Sequence, residues 1–304
     1  MCLPLRWLAQ TFGGSQDPRL YQIAVLSGLL LYGVLWLDFA VSASQAVLLL
    51  STVLLTQAAC QWLAGHTPYD PRSALISGLS LCLLLRTNSG LLAAATAAIT
   101  ILSKYALRWR GKHLFNPTNF GLVLMLSTCQ VWVSAGQWGS PAFLVFLLAC
   151  CGGLVVYRAA RSDVTCAFLA AHLALRLGRA WWLGDPLSIP LHQLHNGALV
   201  LFAFFMISDP KTTPDRRVGR LFFAGLVACL ASYLQFTLHW SNALLWALAG
   251  AALLVPCLDW CWPGTPYAWS GDSQRGWRTR TTARPAAREG ETYVHHLGQH
   301  RLGA

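Results

Sequence analysis

The sequence predicts an all-α, polytopic membrane protein with about ten transmembrane helices, arranged as two inverted five-helix repeats. The 304 residues are 55% hydrophobic and only 11% charged, whereas soluble domains carry about 25% charged residues. Apolar runs recur from residue 21 to residue 262 with short polar breaks. Continuous runs of this kind are typical of helical spans and not of transmembrane barrels, whose strands alternate in polarity.

Ten apolar runs are candidate spans, and the third and eighth are shorter than the roughly 20 residues of a full crossing. They cover residues 21–41, 43–64, 73–86, 89–108, 117–135, 140–158, 163–183, 190–207, 218–238 and 241–262. We therefore expect a membrane domain over 21–262. Its two halves would cover about 21–135 and 140–262.

The two ends of the chain are expected to lie outside the membrane domain. Residues 1–20 are interrupted by Pro4, Arg6 and Gln10, so they predict a short cytoplasmic leader and not a signal peptide. Residues 263–304 are rich in Arg, Gly, Thr and Ala. That composition predicts a disordered, basic cytoplasmic tail.

The positive charges fix the predicted orientation. With the N-terminus in the cytoplasm, ten alternating spans place nineteen of the 22 Lys and Arg residues on the inner side. Only Arg86, Arg176 and Arg179 then fall in outer loops. Because cytoplasmic loops carry the excess of Lys and Arg, the pattern predicts both termini inside. The net charge of +11 follows from the same bias, so nucleic acid is not an expected partner and the lipid membrane is.

The two halves match in the position of a short span. Span 1 begins near Tyr21 and span 6 near Ser140, an offset of 119 residues that carries Gly78 of the short third span onto Gly197 of the short eighth. An odd number of spans per repeat inverts the second copy. Inverted repeats with short or broken helices at matching positions are typical of transporters.

Two predicted helices begin at the inner face with unusual polar groups. In "HLFNPTNFG", residues 113–121, Asn116 is the expected N-cap and Pro117 the first helical residue. Asn119 then places an amide at membrane depth, where polar groups tend to mark sites. The ninth span begins similarly at Thr213 and Pro214.

These helix N-termini carry free N–H groups and a partial positive charge, and Lys104, Lys112 and Lys211 are nearby in the predicted topology. The combination suits a flat heteroaromatic ring that gains negative charge on reduction, such as a flavin. It equally suits an anion or a quinone carbonyl.

Three stretches resemble one known family. "KHLFNPTNFGLVL" is similar to a motif of the D subunit of Rnf electron-transport complexes and of the B subunit of Na+-translocating NADH:quinone reductase. "HNGALVLFAFFMISDPKTTPD" resembles the second signature of this RnfD/NqrB family, and "VPCLDW" resembles its final span. The similarity covers roughly residues 70–262.

The resemblance implies a membrane subunit of a flavin-dependent electron-transport system of the bacterial cytoplasmic (inner) membrane, coupled to Na+ or H+ translocation. Such a subunit works with other membrane redox subunits and is not a stand-alone enzyme. Family members carry a flavin linked to Thr in a long segment between spans 5 and 6. Here that segment is "SAGQWGSP", residues 134–141, which contains no Thr. We therefore expect a short member that lacks the covalent FMN.

The family also holds a second, non-covalent flavin near the inner face, riboflavin or FMN in the present case. By motif match, the residues expected to bind it are Asn116, Thr118, Asn119, Asp209, Lys211 and Thr212. No spaced set of Cys and His predicts a metal site. Two alternatives remain open: a non-redox carrier of small solutes or ions with its site near Gly78 and Gly197, and a scaffold subunit with a degenerate flavin site.

Overall fold

A computed structural model describes residues 17–36, 41–65, 69–134, 152–157, 159–194 and 197–267. Nearly all of the predicted leader, most of the sixth predicted span and the tail beyond residue 267 lie outside these residues. The domain limits and the second repeat boundary therefore stay predictions.

Helices dominate the described chain. Its first half contains α1 (Pro18–Trp36), α2 (Ala43–Leu63), α3 (Arg72–Leu84), α4 (Gly90–Ala106) and α5 (Pro117–Leu126). Its second half contains α6 (Ser162–Leu183), α7 (Ser188–Leu194), α8 (Gly197–Leu201), α9 (Arg217–Phe236), α10 (Ala243–Ala252) and α11 (Val255–Cys261). A π-helical turn, Phe202–Met206, continues α8.

Short strands join the helix ends. After α3 the chain forms β1 (Leu85–Arg86), which pairs antiparallel with β4 (Trp132–Val133) beyond α5. The pairing satisfies backbone groups at two helix ends, as membrane-embedded backbone requires. The strands β2 (Arg108–Trp109) and β3 (Lys112–His113) form a hairpin that leads into α5.

Helix packing joins the two halves around one buried core. In the first half α1 packs on α3, and α2 packs on α3 and α4. In the second half α9 packs on α6 and α10, and α10 also contacts α5 of the first half. At Gly121 in α5, an added Cβ would overlap Oγ1 of Thr100 in α4. The absence of a side chain there allows α4 and α5 to approach closely.

Three predicted spans have different bounds from those expected. The fifth was predicted to run to residue 135, but α5 ends at Leu126, where the hydroxyl groups of Ser127 and Thr128 donate to main-chain oxygens of the last turn. The eighth begins earlier than expected, at Ser188 of α7, and the two residues between α7 and α8 lie outside the described part of the chain. The tenth bends by 47° between α10 and α11, where Pro256 lies in the first turn of α11. A proline at such a position removes a backbone donor.

Three described helices are long and apolar enough to cross a membrane by length and composition: Pro18–Leu35, Ala43–Leu63 and Arg217–Phe236. A fourth is added if the bent pair α10 and α11 forms one span. Four shorter apolar helices, 10–17 residues long, accompany them. The chain is thus a helical, multi-pass membrane protein, while the count of ten spans and the inverted repeat are not confirmed.

Candidate functional site

Asn116 begins α5 as its N-cap. Its backbone is extended, with φ −61° and ψ 123°, and its Oδ1 accepts a hydrogen bond from the Asn119 N–H at 3.0 Å. Pro117 occupies the first turn, where a missing N–H leaves no helical hydrogen bond unmade. The helix start predicted from the sequence is therefore confirmed.

The Asn116 amide also reaches the second half of the chain. Its Nδ2 donates to the main-chain oxygen of Met206 and to Oδ2 of Asp209, each at 3.3 Å. Met206 ends the π-helical turn, and Asp209 follows in the loop of residues 207–216. The "FNP" and "SDP" stretches, which were singled out separately in the sequence, are in direct contact.

The loop of residues 207–216 is fixed by hydrogen bonds around Asp209. The main-chain oxygen of Asp209 accepts from the N–H groups of Thr212 and Thr213, both at 3.2 Å, and from the Thr212 hydroxyl at 3.2 Å. Oδ1 of Asp209 accepts from the Lys211 N–H at 3.0 Å. This turn holds the carboxylate beside Asn116.

A cavity lies between this loop, the start of α5 and the adjacent ends of α1, α3 and α4. Its volume is about 80 Å³, and about 10–15 Å³ of such volume holds one water molecule. Four of the six predicted site residues line it: Asn116, Thr118, Asp209 and Lys211. We call it the inner cavity.

The other two predicted residues do not line the inner cavity. Nδ2 of Asn119 donates to the main-chain oxygen of Leu245 in α10 at 3.1 Å. Oδ1 of Asn119 is buried, with no hydrogen-bond partner among the described residues. The Thr212 hydroxyl is engaged in the turn around Asp209. These contacts give Asn119 and Thr212 supporting positions behind the cavity wall.

The inner cavity also contains residues outside the predicted set. Lys104, Arg19 and Ser73 line it, and Nζ of Lys104 donates to the main-chain oxygen and to Oγ of Ser73, at 2.9 and 3.0 Å. In the sequence Lys104 was noticed only as a nearby positive charge. The signal that would have identified it is a single lysine at the end of an otherwise uncharged apolar run.

Arg19 is held in an ion-pair cluster at the rim of the cavity. It contacts Asp17 at 2.5 Å and Asp70 at 3.1 Å, and Arg72 contacts the same two carboxylates at 2.8 and 2.9 Å. Two arginines and two aspartates cancel in charge. The cluster ties the start of α1 to the start of α3.

His113 contributes a neutral ring to the inner cavity. Burial, reinforced by the positive charges of Arg108, Lys104 and Lys211, lowers the pKa of His113 to about 3. Its Nδ1 is buried and has no hydrogen-bond partner among the described residues. Because buried polar atoms are normally paired, this ring nitrogen is an acceptor or donor that a polar partner would satisfy.

Among the described residues, Asp209 is the one acidic residue that lines the inner cavity. Burial raises the pKa of Asp209 above its ordinary value, while the Lys211 N–H and the charges of Lys104 and Lys211 oppose that rise. Because the Arg19 cluster has no net charge, the positive charges of Lys104 and Lys211 exceed the negative charge of Asp209. The cavity thus favours an occupant with a negative or electron-rich edge.

Two further contacts hold the loop of residues 207–216 in place. Lys112, in the hairpin before α5, contacts Asp215 at 2.9 Å and Asp259 of α11 at 2.8 Å. Nε of Arg161 donates to the Thr213 hydroxyl at 3.0 Å. Both contacts fix the loop against elements from other parts of the chain, so the geometry beside Asn116 is set from several directions.

The alternative position for a site, near Gly78, is closed. A Cβ at Gly78 would lie 2.7 Å from Cγ2 of Val53 and 3.0 Å from Cδ2 of Leu50, so α2 and α3 are packed tightly there. The nearby void lined by Leu26, Ser80 and Phe205 has a volume of about 10 Å³. It is barely large enough for one water molecule.

Comparison with known proteins identifies one family. The model of the NQR2, RnfD, RnfE family matches residues 128–266. This range includes Asp209, Lys211 and Thr212, whereas the stretch from Asn116 to Asn119 precedes it.

Curated relatives point to the same family, and each is named as the D subunit of an ion-translocating oxidoreductase complex. The protein from Citrobacter koseri is 31% identical over 127 residues, which are 41% of this chain and 34% of that protein. The protein from Salmonella paratyphi B is 32% identical over 129 residues, with the same coverage. The matched part of the chain thus spans about a third of the length of these relatives. The matched residues are similar to members of the RnfD/NqrB family.

Proposed function

We propose that this chain is a member of the RnfD/NqrB family and a membrane subunit of an electron-transport complex that translocates Na+ or H+. The names of its curated relatives support this proposal, as do its apolar helices of membrane-spanning length. It acts with other membrane redox subunits and not as a stand-alone enzyme. It lies in the bacterial cytoplasmic membrane with both termini in the cytoplasm, an orientation supported by the charge bias of the loops.

The proposed fold is ten spans in two inverted repeats, over about 21–135 and 140–262. Helix breaks support it: in the first half α3 ends in the strand β1 and α5 ends at Leu126, and in the second half α10 bends into α11. The breaks at α5 and α10 fall in the fifth span of each half. Broken spans at corresponding positions are what a repeat with a central site requires.

The proposed cofactor is a non-covalent flavin, riboflavin or FMN, in the inner cavity. The observation that carries this proposal is the contact between Asn116 and Asp209, which joins the two family motifs at the wall of one polar cavity. Asn116, Thr118, Asp209 and Lys211 would hold the hydrogen-bonding edge of the ring. Asn119 and Thr212 would support them from behind.

The residues present fit the polar edge of a flavin. The cavity offers amide, hydroxyl and ammonium donors, the carboxylate of Asp209 as an acceptor, and the unpartnered Nδ1 of His113. Its volume of about 80 Å³ accommodates several waters and thus the edge of a ring, not three whole rings. When bound, the flavin supplies one- and two-electron transfer, and the protein supplies position and charge.

We further propose that the covalent FMN is absent, because residues 134–141 contain no Thr. All but the first of these residues lie outside the described part of the chain. The same missing Thr favours one alternative function, a scaffold subunit that keeps a degenerate site. The two functions differ in whether the purified protein contains flavin.

The site is tested by flavin content in three variants purified in detergent. Asn116→Ser keeps a capping oxygen but removes the amide that meets Asp209, and Asp209→Asn removes the carboxylate. Asp163→Asn is the matched control, because Asp163 pairs with Arg220 at 2.7 Å and does not line the cavity. We expect a several-fold lower flavin-to-protein ratio in the first two and the wild-type ratio in the control. Equal flavin in all three would overturn the site.

A further inference from the structure

Lys104 is a buried cation at the wall of the inner cavity. It lies in the last turn of α4, and only 4% of its surface is exposed. It lines the cavity together with Asn116, Asp209 and Lys211. Its position on a helix, and not on a loop, fixes where its ammonium group can lie.

The contacts of Lys104 differ from those of Arg19 and Lys112. Its two hydrogen bonds go to the main-chain oxygen and to Oγ of Ser73, both uncharged acceptors. By contrast, Arg19 and Lys112 each contact two aspartates. Among the residues that the structure describes, no carboxylate lies within ion-pair distance of Nζ of Lys104.

This arrangement leaves the charge of Lys104 and one of its N–H donors available to an occupant of the cavity. An ammonium group has three N–H donors, and Ser73 takes two of them. Burying a cation without an adjacent anion is costly, and Asp209, which lines the same cavity, lies beyond ion-pair distance, so an anionic occupant of the cavity would lower that cost. The cavity that Lys104 lines is the place where such a charge would come.

We propose that Lys104 is the charge-compensating residue of the inner cavity, and that it stabilises the reduced, negatively charged flavin relative to the oxidised, neutral one. The inference rests on the proposed function of the same cavity. In the reduction, the oxidised ring takes up two electrons and one proton and becomes an anion. The electrons come from a reduced partner of the complex, or from dithionite in a titration. The proton comes from water, and Lys104 keeps its own.

Ser73 is the positioning residue for Lys104. Its hydroxyl and main-chain oxygen lie in the first turn of α3, so they aim the ammonium group from the opposite wall of the cavity. Removal of the hydroxyl leaves the charge in place but takes away one of its two anchors. We therefore expect Ser73→Ala to weaken the preference of the site for reduced flavin, but by less than loss of the lysine does.

The test is the two-electron reduction potential of the bound flavin, measured by dithionite titration against a reference dye in detergent-purified protein. We expect Lys104→Met to retain flavin, but with the ratio of reduced-state to oxidised-state affinity at least tenfold lower. For a two-electron couple, that factor lowers the midpoint by about 30 mV. Ser73→Ala should lower it by less. Arg217→Met, which removes an exposed cation that does not line the cavity, should leave the midpoint at the wild-type value.

The outcomes separate this inference from the function on which it rests. A wild-type protein without flavin overturns the proposed function, and the inference falls with it. A wild-type protein with flavin, together with a Lys104→Met variant of unchanged midpoint, overturns only the role of Lys104. If Lys104→Met does not fold, Ser73→Ala decides: a lowered midpoint supports the inference, and a wild-type midpoint contradicts it.

Discussion

Asn116 and Asp209 are 93 positions apart in the chain, yet Nδ2 of one lies 3.3 Å from Oδ2 of the other. Asn116 simultaneously caps α5 through its Oδ1. One side chain therefore starts a helix of the first half and contacts the loop of residues 207–216 in the second half. Changes at this residue should affect both stability and cofactor binding, and the two effects are separable.

Two substitutions at Asn116 separate the cap from the contact with Asp209. Asn116→Ala removes both, and we expect it to lower the free energy of unfolding by about 1 kcal/mol through loss of the N-cap. Asn116→Ser retains a capping oxygen and should be nearly as stable as wild type, while still losing flavin. Thermal unfolding in detergent measures the first effect, and flavin content the second. Equal stability of the two variants would contradict the role of the cap.

His113 should make the protein less stable in mild acid. Its pKa is about 3 in the folded chain and about 6.5 when unfolded, so between these values only the unfolded chain binds the proton. The stability that the neutral His113 ring contributes to the folded chain is therefore fully present above about pH 6.5 and is lost as the pH falls towards 3. From pH 7 to pH 5 the expected loss is about 1–2 kcal/mol.

Removal of the titrating ring should reduce that acid sensitivity. We expect His113→Gln to show a smaller drop in melting temperature between pH 7 and pH 5 than wild type. His239→Gln is the control, because His239 is exposed and does not line the cavity. Identical pH profiles for wild type and His113→Gln would show that the ring is not held neutral.

The contact of Lys112 with Asp215 and Asp259 should stabilise the loop of residues 207–216. The lysine and both carboxylates are mostly buried, and hydrogen bonds to charged groups contribute about 1.5–3 kcal/mol. Asp259→Asn should therefore lower stability by about 1–3 kcal/mol. A double-mutant cycle with Lys112→Met measures the coupling directly. Additive losses in the cycle would mean that the pair is not formed.

Close packing at Gly121 should not tolerate a methyl group. Because a Cβ there would overlap Oγ1 of Thr100, Gly121→Ala should cost about 1–3 kcal/mol of stability. Gly225→Ala in α9 is the matched control, because nothing lies within 4 Å of a Cβ at that position. There the substitution should stabilise the helix by up to about 1 kcal/mol. Melting temperatures in detergent compare the two variants, and a neutral Gly121→Ala would contradict the close approach of α4 and α5.

Local signals predicted the start of α5 and most of the site, but the ninth span, expected to begin at Thr213 and Pro214, begins at Arg217. The Asn-Pro pair at Asn116 and Pro117 fixes a helix start through side-chain chemistry that is legible in the sequence, and the structure has that start. The charge bias predicts that both motifs lie at the inner face, and the structure brings them into contact. Four of the six residues chosen line one cavity.

Features that depend on distant partners were not predictable. The end of α5 at Leu126 depends on β4, which pairs with β1 from a different part of the chain, and hydropathy does not report such pairing. Asn119 was placed in the site because it is polar at membrane depth, but its partner is a main-chain oxygen of α10. Lys104 joins the cavity through Ser73, 31 positions earlier in the chain, a contact that only the folded chain establishes.

The most direct test of the account is an absorbance and fluorescence spectrum of the detergent-purified protein, taken before and after acid precipitation. The account predicts flavin bands in the native protein that leave with the supernatant, as a non-covalent flavin does. Flavin that stays with the pellet would contradict the expected absence of a covalent link. No flavin in protein purified from flavin-rich cells would contradict the proposed function itself.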